Sequence, residues 1–340
     1  MTLRMNQTIV LVKHPQGAVQ LDDFELLRDV EIPELKDGEV LVENKWLSID
    51  PYTRPRLDKE TPMVEPIPIG SVIQGETIGV IVESRNPQFT PGDWVFMLSG
   101  WQRYYIATKQ DMILRKLSET TLPKSIFLGP VGTAGRAAYF GMQRIAKPQS
   151  GDVVVVSAAA GAVGSVAGQI AKMAGAYVVG IAGGATKCSY VVDELGFDAC
   201  VDYKAADFKK QLRRACPEGI DVYFENVGGR VSMFVAQLLN DGARVPVCGN
   251  VSQYNQPGDM GASGPENFFA SLPSAPLARF FLVTQWFKDY PESDEWLLKA
   301  IESGQIKYRE TVYTGLEQVP QAFTDLFVGR NFGKQLVKLE

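Results

Sequence analysis

The run Asp152-Val-Val-Val-Val-Ser157 is apolar without alternation and too short for a buried helix. It leads straight into Ala158-Ala159-Ala160-Gly161-Ala162-Val163-Gly164 and a helical pattern over residues 163–174. A strand of this kind is covered on both faces, which requires a parallel sheet with helical crossovers. The same alternation continues, with strands expected over 177–182, 199–202, 220–225 and 243–248. Helices are expected between them over 186–195, 208–215 and 231–239. A Gly-, Pro-, Asn- and Ser-rich loop over 256–276 then precedes an apolar strand over 279–284. The pattern is that of an α/β, doubly wound parallel sheet. Set against G-x-G-x-x-G, the turn supplies Ala159, Gly161 and Gly164. The second position lets backbone approach a pyrophosphate, the third lets helix pack on strand, and the helix N-terminus offers free N–H groups to phosphate. The bland alternative is a tight turn in some other doubly wound fold.

The flanks read differently. Short strands over 8–13, 39–47, 75–83 and 94–97 are rich in β-branched and aromatic residues, and turn sequences such as Thr90-Pro-Gly-Asp93 separate them. After a helix over 295–303, strands over 310–313 and 334–339 return to that style. With 340 residues the chain has length for about two domains. The expected division is a β-rich lobe of residues 1–125 with 305–340, and a nucleotide-binding lobe of residues 126–304.

The end of the second strand of the α/β region selects the nucleotide. A carboxylate there would accept from the adenosine ribose 2′-hydroxyl and favour NAD. The chain instead has Ile181-Ala182-Gly183-Gly184-Ala185-Thr186-Lys187, with no acid before Asp193. Gly183 and Gly184 leave room, and Lys187 offers a point charge to a 2′-phosphate; otherwise Lys187 is an ordinary helix-face lysine. The expectation is NADP(H).

Composition removes other classes. Basic and acidic residues number 34 and 39, a net charge of −5, which supplies no electrostatic footprint for nucleic acid or anionic membrane. No apolar run is long enough to span a bilayer, and the N-terminal residues lead into a strand-like pattern instead of a secretory apolar block, so a cytoplasmic protein is expected. One histidine, His14, and four cysteines, Cys188, Cys200, Cys216 and Cys248, offer no zinc-ligand spacing. No metal site is expected, and a Ser/His hydrolase would have to rely on His14.

Several longer motifs carry a resemblance. Trp46-Leu-Ser-Ile-Asp-Pro-Tyr52, Gly129-Pro-Val-Gly-Thr133, Val155-Val-Ser-Ala-Ala-Ala-Gly-Ala-Val-Gly164, Tyr223-Phe-Glu-Asn-Val-Gly-Gly229, Ser252-Gln-Tyr-Asn255 and Asn331-Phe-Gly-Lys334 resemble the medium-chain dehydrogenase/reductase superfamily. They are most similar to its zinc-independent branch of prostaglandin, alkenal and curcumin reductases. Where zinc-dependent relatives carry Gly-His-Glu, this chain has Gln74-Gly75-Glu76. The resemblance implies a GroES-like β-rich catalytic domain joined to a Rossmann domain. It also implies cofactor contacts at Ala159, Gly161, Ala162, Val163 and Gly164, at Gly184, Lys187 and Tyr203, and at Asn226, Cys248, Gly249, Ser252 and Tyr254. Phe281, Leu282, Val283 and Asn331 complete the set. The chain departs from relatives at Gly135-Arg136-Ala137-Ala138-Tyr139, where they often have Gly-Leu-Thr-Ala-Tyr, and this puts the pocket lining in question.

The activity implied is hydride transfer from NADPH to the β-carbon of an α,β-unsaturated ketone or aldehyde, with an enolate oxygen to stabilise. Tyr254 and Tyr52 are the candidate hydroxyl donors; the alternatives are a pocket-wall tyrosine and a half-buried core aromatic. Asp50 is equally readable as a turn cap. Trp101, Tyr104, Tyr105, Phe268 and Phe269 are readable either as pocket lining or as core. Competing functions are NADPH:quinone reduction and cofactor binding without catalysis. Relatives often pair through the edge of the nucleotide-domain sheet, so a homodimer is expected, with apolar residues 280–283 at that edge.

Overall fold

A computed structural model describes residues 4–60, 64–108, 111, 113–255 and 267–340. The chain begins with strands β1 (Met5–Leu11), β2 (Phe24–Glu31), β3 (Val40–Ser48), β4 (Thr77–Ser84), β5 (Trp94–Met97), β6 (Tyr104–Ala107) and β7 (Arg115–Lys116). Helix α1 (Thr133–Phe140) is the bridge to β8 (Val153–Ser157), α2 (Ala162–Met173), β9 (Tyr177–Ala182), α3 (Ala185–Ser189), β10 (Ala199–Asp202) and α4 (Phe208–Ala215). Then come β11 (Ile220–Phe224), α5 (Gly229–Val235), β12 (Leu239–Val247), α6 (Asn267–Ala270), β13 (Leu277–Phe280) and α7 (Tyr290–Glu302). The last elements are β14 (Glu310–Thr314), α8 (Val319–Phe327) and β15 (Lys334–Lys338).

Strands β8 to β13 form one parallel sheet in the order β10-β9-β8-β11-β12-β13. Neighbouring strands β8 and β11 wind in opposite directions from this centre, so a crevice opens beyond their carboxyl ends. Val154, Val155 and Val156 of β8 are fully buried, as an apolar run without alternation requires. The second sheet is ordered β14-β15-β3-β4-β5-β7, with β6 also on β3. The C-terminal strands therefore complete the sheet begun by the N-terminal ones: β15 runs antiparallel to β3, with Leu336 opposite Ser48. Among the described residues no helix is long and apolar enough to cross a membrane.

Several details differ from the pattern reading. Residues 279–284 are not one strand: β13 ends at Phe280, and a 3-10 turn starts at Val283. The cause is Phe281, which turns inward onto Phe224 and Trp286, with ring centroids 6.4 and 5.6 Å away. The helix expected to Leu239 stops at Val235, and β12 starts at Leu239 instead of 243. The helix expected over 186–195 is α only to Ser189, then widens to a π turn over Tyr190–Glu194. Within the loop over 256–276, residues 256–266 lie outside the described residues, and α6 occupies Asn267–Ala270. Helix α8 was not foreseen, although Val319, Ala322 and Phe323 follow helical spacing and are fully buried.

The aromatic residues fall to the core. Trp101 lies 5.3 Å from both Phe24 and Phe323, closing the core beneath the β-rich sheet. Phe269 stacks edge-on against Tyr223 at 6.1 Å and Phe268 against Phe269 at 5.0 Å. The hydroxyls of Tyr104 and Tyr105 donate to Glu43 and Asp111. His14 places Nδ1 2.8 Å from the carbonyl oxygen of Leu57, a structural role.

Gly333, just before β15, is packed against the chain entering β14. It has φ +60°, and a Cβ there would sit 1.9 Å from the Arg309 carbonyl oxygen. Gly242 has φ +76° but open space around its Cβ direction. Gly333→Ala is expected to lower stability by about 3 kcal/mol or more, and Gly242→Ala by about 1 kcal/mol, because only the first adds a clash to backbone strain. Urea denaturation midpoints of the two variants check this.

Candidate active site

One cavity of about 1100 Å³ runs between the sheets. Its nucleotide-sheet wall is built from the β8–α2 turn. Gly161 caps α2 without any side-chain acceptor for the first N–H groups, so these point at whatever enters. Gly161, Ala162, Val163 and Gly164 line the cavity. Gly164 is required for close approach: a Cβ there would meet the Ala158 carbonyl oxygen at 2.4 Å. Ala159 does not reach the cavity. It is fully buried and faces Gly180 of β9, whose added Cβ would meet the Ala159 methyl at 2.9 Å; Ala158 and Ala160 line the space in its place.

Past β9 the cavity is cationic. Lys187, Tyr203, Lys204 and Arg230 line it. Burial, and then the charge of Lys204, push the Lys187 ammonium below its ordinary pKa; its Nζ donates to the Gly329 carbonyl at 2.8 Å. Gly183 lines the cavity and Gly184 does not. Gly184 instead takes φ +90° and donates its N–H to Asp202 Oδ1 at 2.8 Å. The same oxygen accepts from Lys204 N at 2.9 Å, so this carboxylate is committed to holding the two loops.

At the end of β11, Glu225 is 2% exposed and organises the next turn. It accepts from Tyr223 Oη at 3.0 Å, Val227 N at 2.6 Å, Gly228 N at 3.0 Å and the Ser232 hydroxyl. Asn226 Nδ2 donates to the Ser157 carbonyl at 2.8 Å, locking this turn to β8. Asn226, Cys248, Gly249, Ser252 and Tyr254 all line the cavity, as do Phe281, Leu282, Val283 and Asn331. The Tyr254 hydroxyl lies over Gly249, where an added Cβ would meet it at 3.0 Å. Burial, and then Cys248, push its pKa up to about 12, partly offset by the Asn250 backbone. At neutral pH it is a donor.

The opposite wall comes from the β-rich sheet. Tyr52 lies in the 3-10 turn Pro51–Leu57, and the residue, 38% exposed, borders the cavity. Burial of its hydroxyl, then the charges of Glu76 and Asp50, hold its pKa well above the ordinary value. Asp50 precedes this turn but makes no side-chain cap; its carboxylate takes the Ser48 hydroxyl and the Lys334 ammonium. Lys334 is 3% exposed and also donates to the Ile49 carbonyl at 3.2 Å. Glu76 accepts from the Thr133 hydroxyl. Deeper in the wall Arg136 pairs with Asp294 through Nε–Oδ1 at 2.7 Å and Nη2–Oδ2 at 2.8 Å. Arg54 joins the two walls, donating Nε to Asn255 Oδ1 at 3.0 Å, Nη1 to Asp58 at 2.6 Å and Nη2 to the Gly17 carbonyl at 2.7 Å. It thereby ties the turn carrying Tyr52 to the loop carrying Tyr254. Glu76, Lys334 and Arg54 were not anticipated as site residues; the signals were that Glu76 closes the Gln74-Gly75-Glu76 stretch and Lys334 the Asn331-Phe-Gly-Lys334 motif.

Comparison with known proteins gives the lineage. Residues 7–114 match a family profile described as the N-terminal domain of oxidoreductase, and residues 162–290 one described as zinc-binding dehydrogenase. The chain is 40% identical to the NADPH-dependent curcumin reductase of Escherichia coli, over 98% of this chain and 97% of that protein. It is 37% identical to the 2-alkenal reductase (NADP(+)-dependent) of Nicotiana tabacum, over 98% and 97%. The chain belongs to the zinc-independent branch of the medium-chain dehydrogenases/reductases. The crystal structure of CurA in complex with NADPH from Vibrio vulnificus superposes with TM-score 0.91 at 40% identity, over 98% of this chain and 99% of that one.

This reductase-family chain carries no ligand set for the zinc in the second profile's description. Glu76 stands beside Thr133 and Asp50, and among the described residues no group of three or more His, Cys, Asp or Glu could hold a metal ion. A phosphorylated dinucleotide does fit. The uncapped α2 N-terminus and the Gly164 approach suit a pyrophosphate, and the Lys187–Lys204–Arg230 end suits an added phosphate.

Burial, and then the Asp50 charge, raise the Glu76 pKa from 4.5 to about 7, against lesser lowering by Thr133, Lys334 and Arg136. The folded state thus holds this proton more tightly than the unfolded chain, and stability falls as pH rises from 4.5 to about 7. Glu76→Gln is expected to stabilise the protein by about 2 kcal/mol near pH 8 and to make little difference near pH 4.5. Denaturant titrations at the two pH values read the difference.

Proposed function

We propose that this chain is an NADPH-dependent reductase that adds hydride to the β-carbon of α,β-unsaturated ketones and aldehydes. The observation that carries the reading is that one cavity joins a cationic nucleotide end to two protonated tyrosine hydroxyls. The names of the relatives, a curcumin reductase and a 2-alkenal reductase, support the substrate class. NADPH, when bound, supplies the hydride. Lys187, with Lys204 and Arg230 nearby, holds the 2′-phosphate, while the N–H groups at the start of α2 take the pyrophosphate. Residues 281–283 with Cys248, Gly249, Ser252 and Asn331 form the remaining cofactor wall.

Reduction of a conjugated alkene places negative charge on the carbonyl oxygen. Tyr254 and Tyr52 keep their protons at neutral pH, so each can donate to that oxygen without first being protonated. Apolar neighbours of the cavity, including Ile113, Leu98 and Phe287, exclude water and hold the reacting carbons close. The two lobes of this reading are residues 1–125 with 305–340, and residues 126–304, supported by the return of β14 and β15 to the β3 sheet.

The test is NADPH consumption over a panel of enals, enones and quinones, with NADH in parallel. Enones and enals are expected to be reduced at the alkene, with NADPH preferred. Lys187→Ala is expected to raise the KM for NADPH about tenfold and to leave that for NADH nearly unchanged. Tyr254→Phe is expected to lower kcat about ten- to a hundredfold. Quinone turnover alone, or full turnover by the Phe variant, would sink the reading.

The reading extends to a cytoplasmic homodimer. Four free thiols suit a reducing compartment. Strand β13 pairs on one side with β12, and the nearby Leu277 and Leu282 are 68% and 54% exposed, leaving an edge that a second copy would cover. Sedimentation at micromolar concentration is expected to give twice the chain mass.

A further inference from the structure

The phosphate end of the cavity opens beside a charged helix that the site itself does not use. Between residues 203 and 214 the chain has five cations, Lys204, Lys209, Lys210, Arg213 and Arg214, against one acid, Asp207. The whole chain carries a net charge of −5, so this stretch has the opposite sign to the molecule that bears it. Helix α4 turns Phe208 and Leu212 inward, 1% and 0% exposed. Lys209, Lys210, Arg213 and Arg214 are left on its outer face, all exposed. Among the described residues no carboxylate pairs with the side chain of any of the five. Asp207 accepts from Gln211 Nε2 at 2.6 Å, and Asp202 is held by the backbone N–H groups of Gly184 and Lys204.

Local stability does not account for this arrangement. The helix dipole favours Arg213 and Arg214, in the last turn of α4, but opposes Lys209 and Lys210 in the first. Lys209 with Arg213, and Lys210 with Arg214, are like charges four residues apart, which repel. Position does account for it. Phe208, at the start of α4, lines the cavity together with Lys204 and Arg230. The Lys209 ammonium and the Arg230 guanidinium share one ring, that of Phe234, at 5.7 and 5.4 Å from its centroid. The outer face of α4 therefore continues the cationic lining onto the surface. Lys210, Arg213 and Arg214 stand outside that lining. At about 1.5 Å per residue the helix carries Arg214 about 9 Å past Phe208, close to the ~8 Å over which a charge acts at physiological salt.

We infer that the outer face of α4 is a capture surface for the phosphates of NADPH. Lys210, Arg213 and Arg214 draw the coenzyme to the cavity mouth and set its rate of association, without touching it once it is bound. The inference goes beyond the enone-reductase reading and rests only on its coenzyme. NADPH carries a 2′-phosphate that NADH lacks, so the surface favours NADPH during the approach as well as in the site.

The experiment mixes NADPH with the intact protein in stopped flow and follows coenzyme fluorescence. No alkene is present, so the result does not depend on the substrate reading. The association rate is expected to fall about tenfold between about 10 and about 500 mM sodium chloride. The combined variant Lys210→Glu, Arg213→Glu, Arg214→Glu is expected to associate about tenfold more slowly than the wild type at low salt and to dissociate at the wild-type rate. At high salt the two proteins are expected to converge, and NADH is expected to show a smaller effect throughout. The milder combination Lys210→Gln, Arg213→Gln, Arg214→Gln is expected to lie between them and provides the measurement if the Glu variant does not fold. A wild-type association rate indifferent to salt overturns the capture surface. So does a loss of affinity in the variants that lies in dissociation alone, or a slowing that persists at high salt, since either would make these cations direct contacts or structural ones. If NADPH does not bind the wild type at all, the coenzyme reading falls and the capture surface with it.

Discussion

The site depends on a backbone contact between segments far apart in the chain. Gly333 N donates to the Ala160 carbonyl at 2.8 Å, and Gly161 and Gly333 form a parallel bridge. A side chain at Gly333 would collide with Arg309, and one at Gly161 would press on the Ala158 carbonyl of its own turn. Because the contact is made by main chain, it fixes the position of the neighbouring side chains to within a hydrogen-bond length. Asn331 is thereby brought to the nucleotide wall and Lys334 to Asp50 on the other wall. Four consecutive residues thus set the width of the cavity.

The two ends of that cavity treat charge differently. At the nucleotide end the cations are partly solvated and the nearby carboxylate, Asp202, is occupied by two backbone N–H groups. An arriving phosphate meets the cations that line the cavity, whereas Asp202 stands back from that lining. At the other end the charged groups are buried and paired, Lys334 with Asp50 and Arg136 with Asp294. Pairs in such surroundings contribute little net stability but tolerate no missing partner. The Lys334–Asp50 pair stands directly before the turn that carries Tyr52, and Arg136 shares α1 with Thr133.

What was legible in the sequence was what depends on local pattern. The valine run of β8 can be covered only within a parallel sheet, and the missing acid after β9 is a property of adjacent residues. The turn positions Gly161 and Gly164 were readable for the same reason. Ala159 was misplaced because spacing says nothing about which way a small side chain faces, and the structure turns it toward β9. Arg54 could not be found: its bond to Asn255 spans 201 residues, and no local pattern distinguishes it from the arginine two residues on. Glu76 was legible as a non-ligand but not as a buried acid, because the hydroxyl that bonds it, that of Thr133, lies 57 residues away in the chain. The end of β13 moved because Phe281 found a better fit against Phe224 than in the strand.

Chain order has a consequence for biogenesis. All six strands of the nucleotide sheet are complete by Phe280, and the α/β unit can fold as the polypeptide emerges. Its glycine turn nonetheless waits for Gly333, so the coenzyme groove stays one-walled until that residue has been synthesised. Premature capture of a nucleotide by an unfinished protein is thereby disfavoured by the order in which the residues are made.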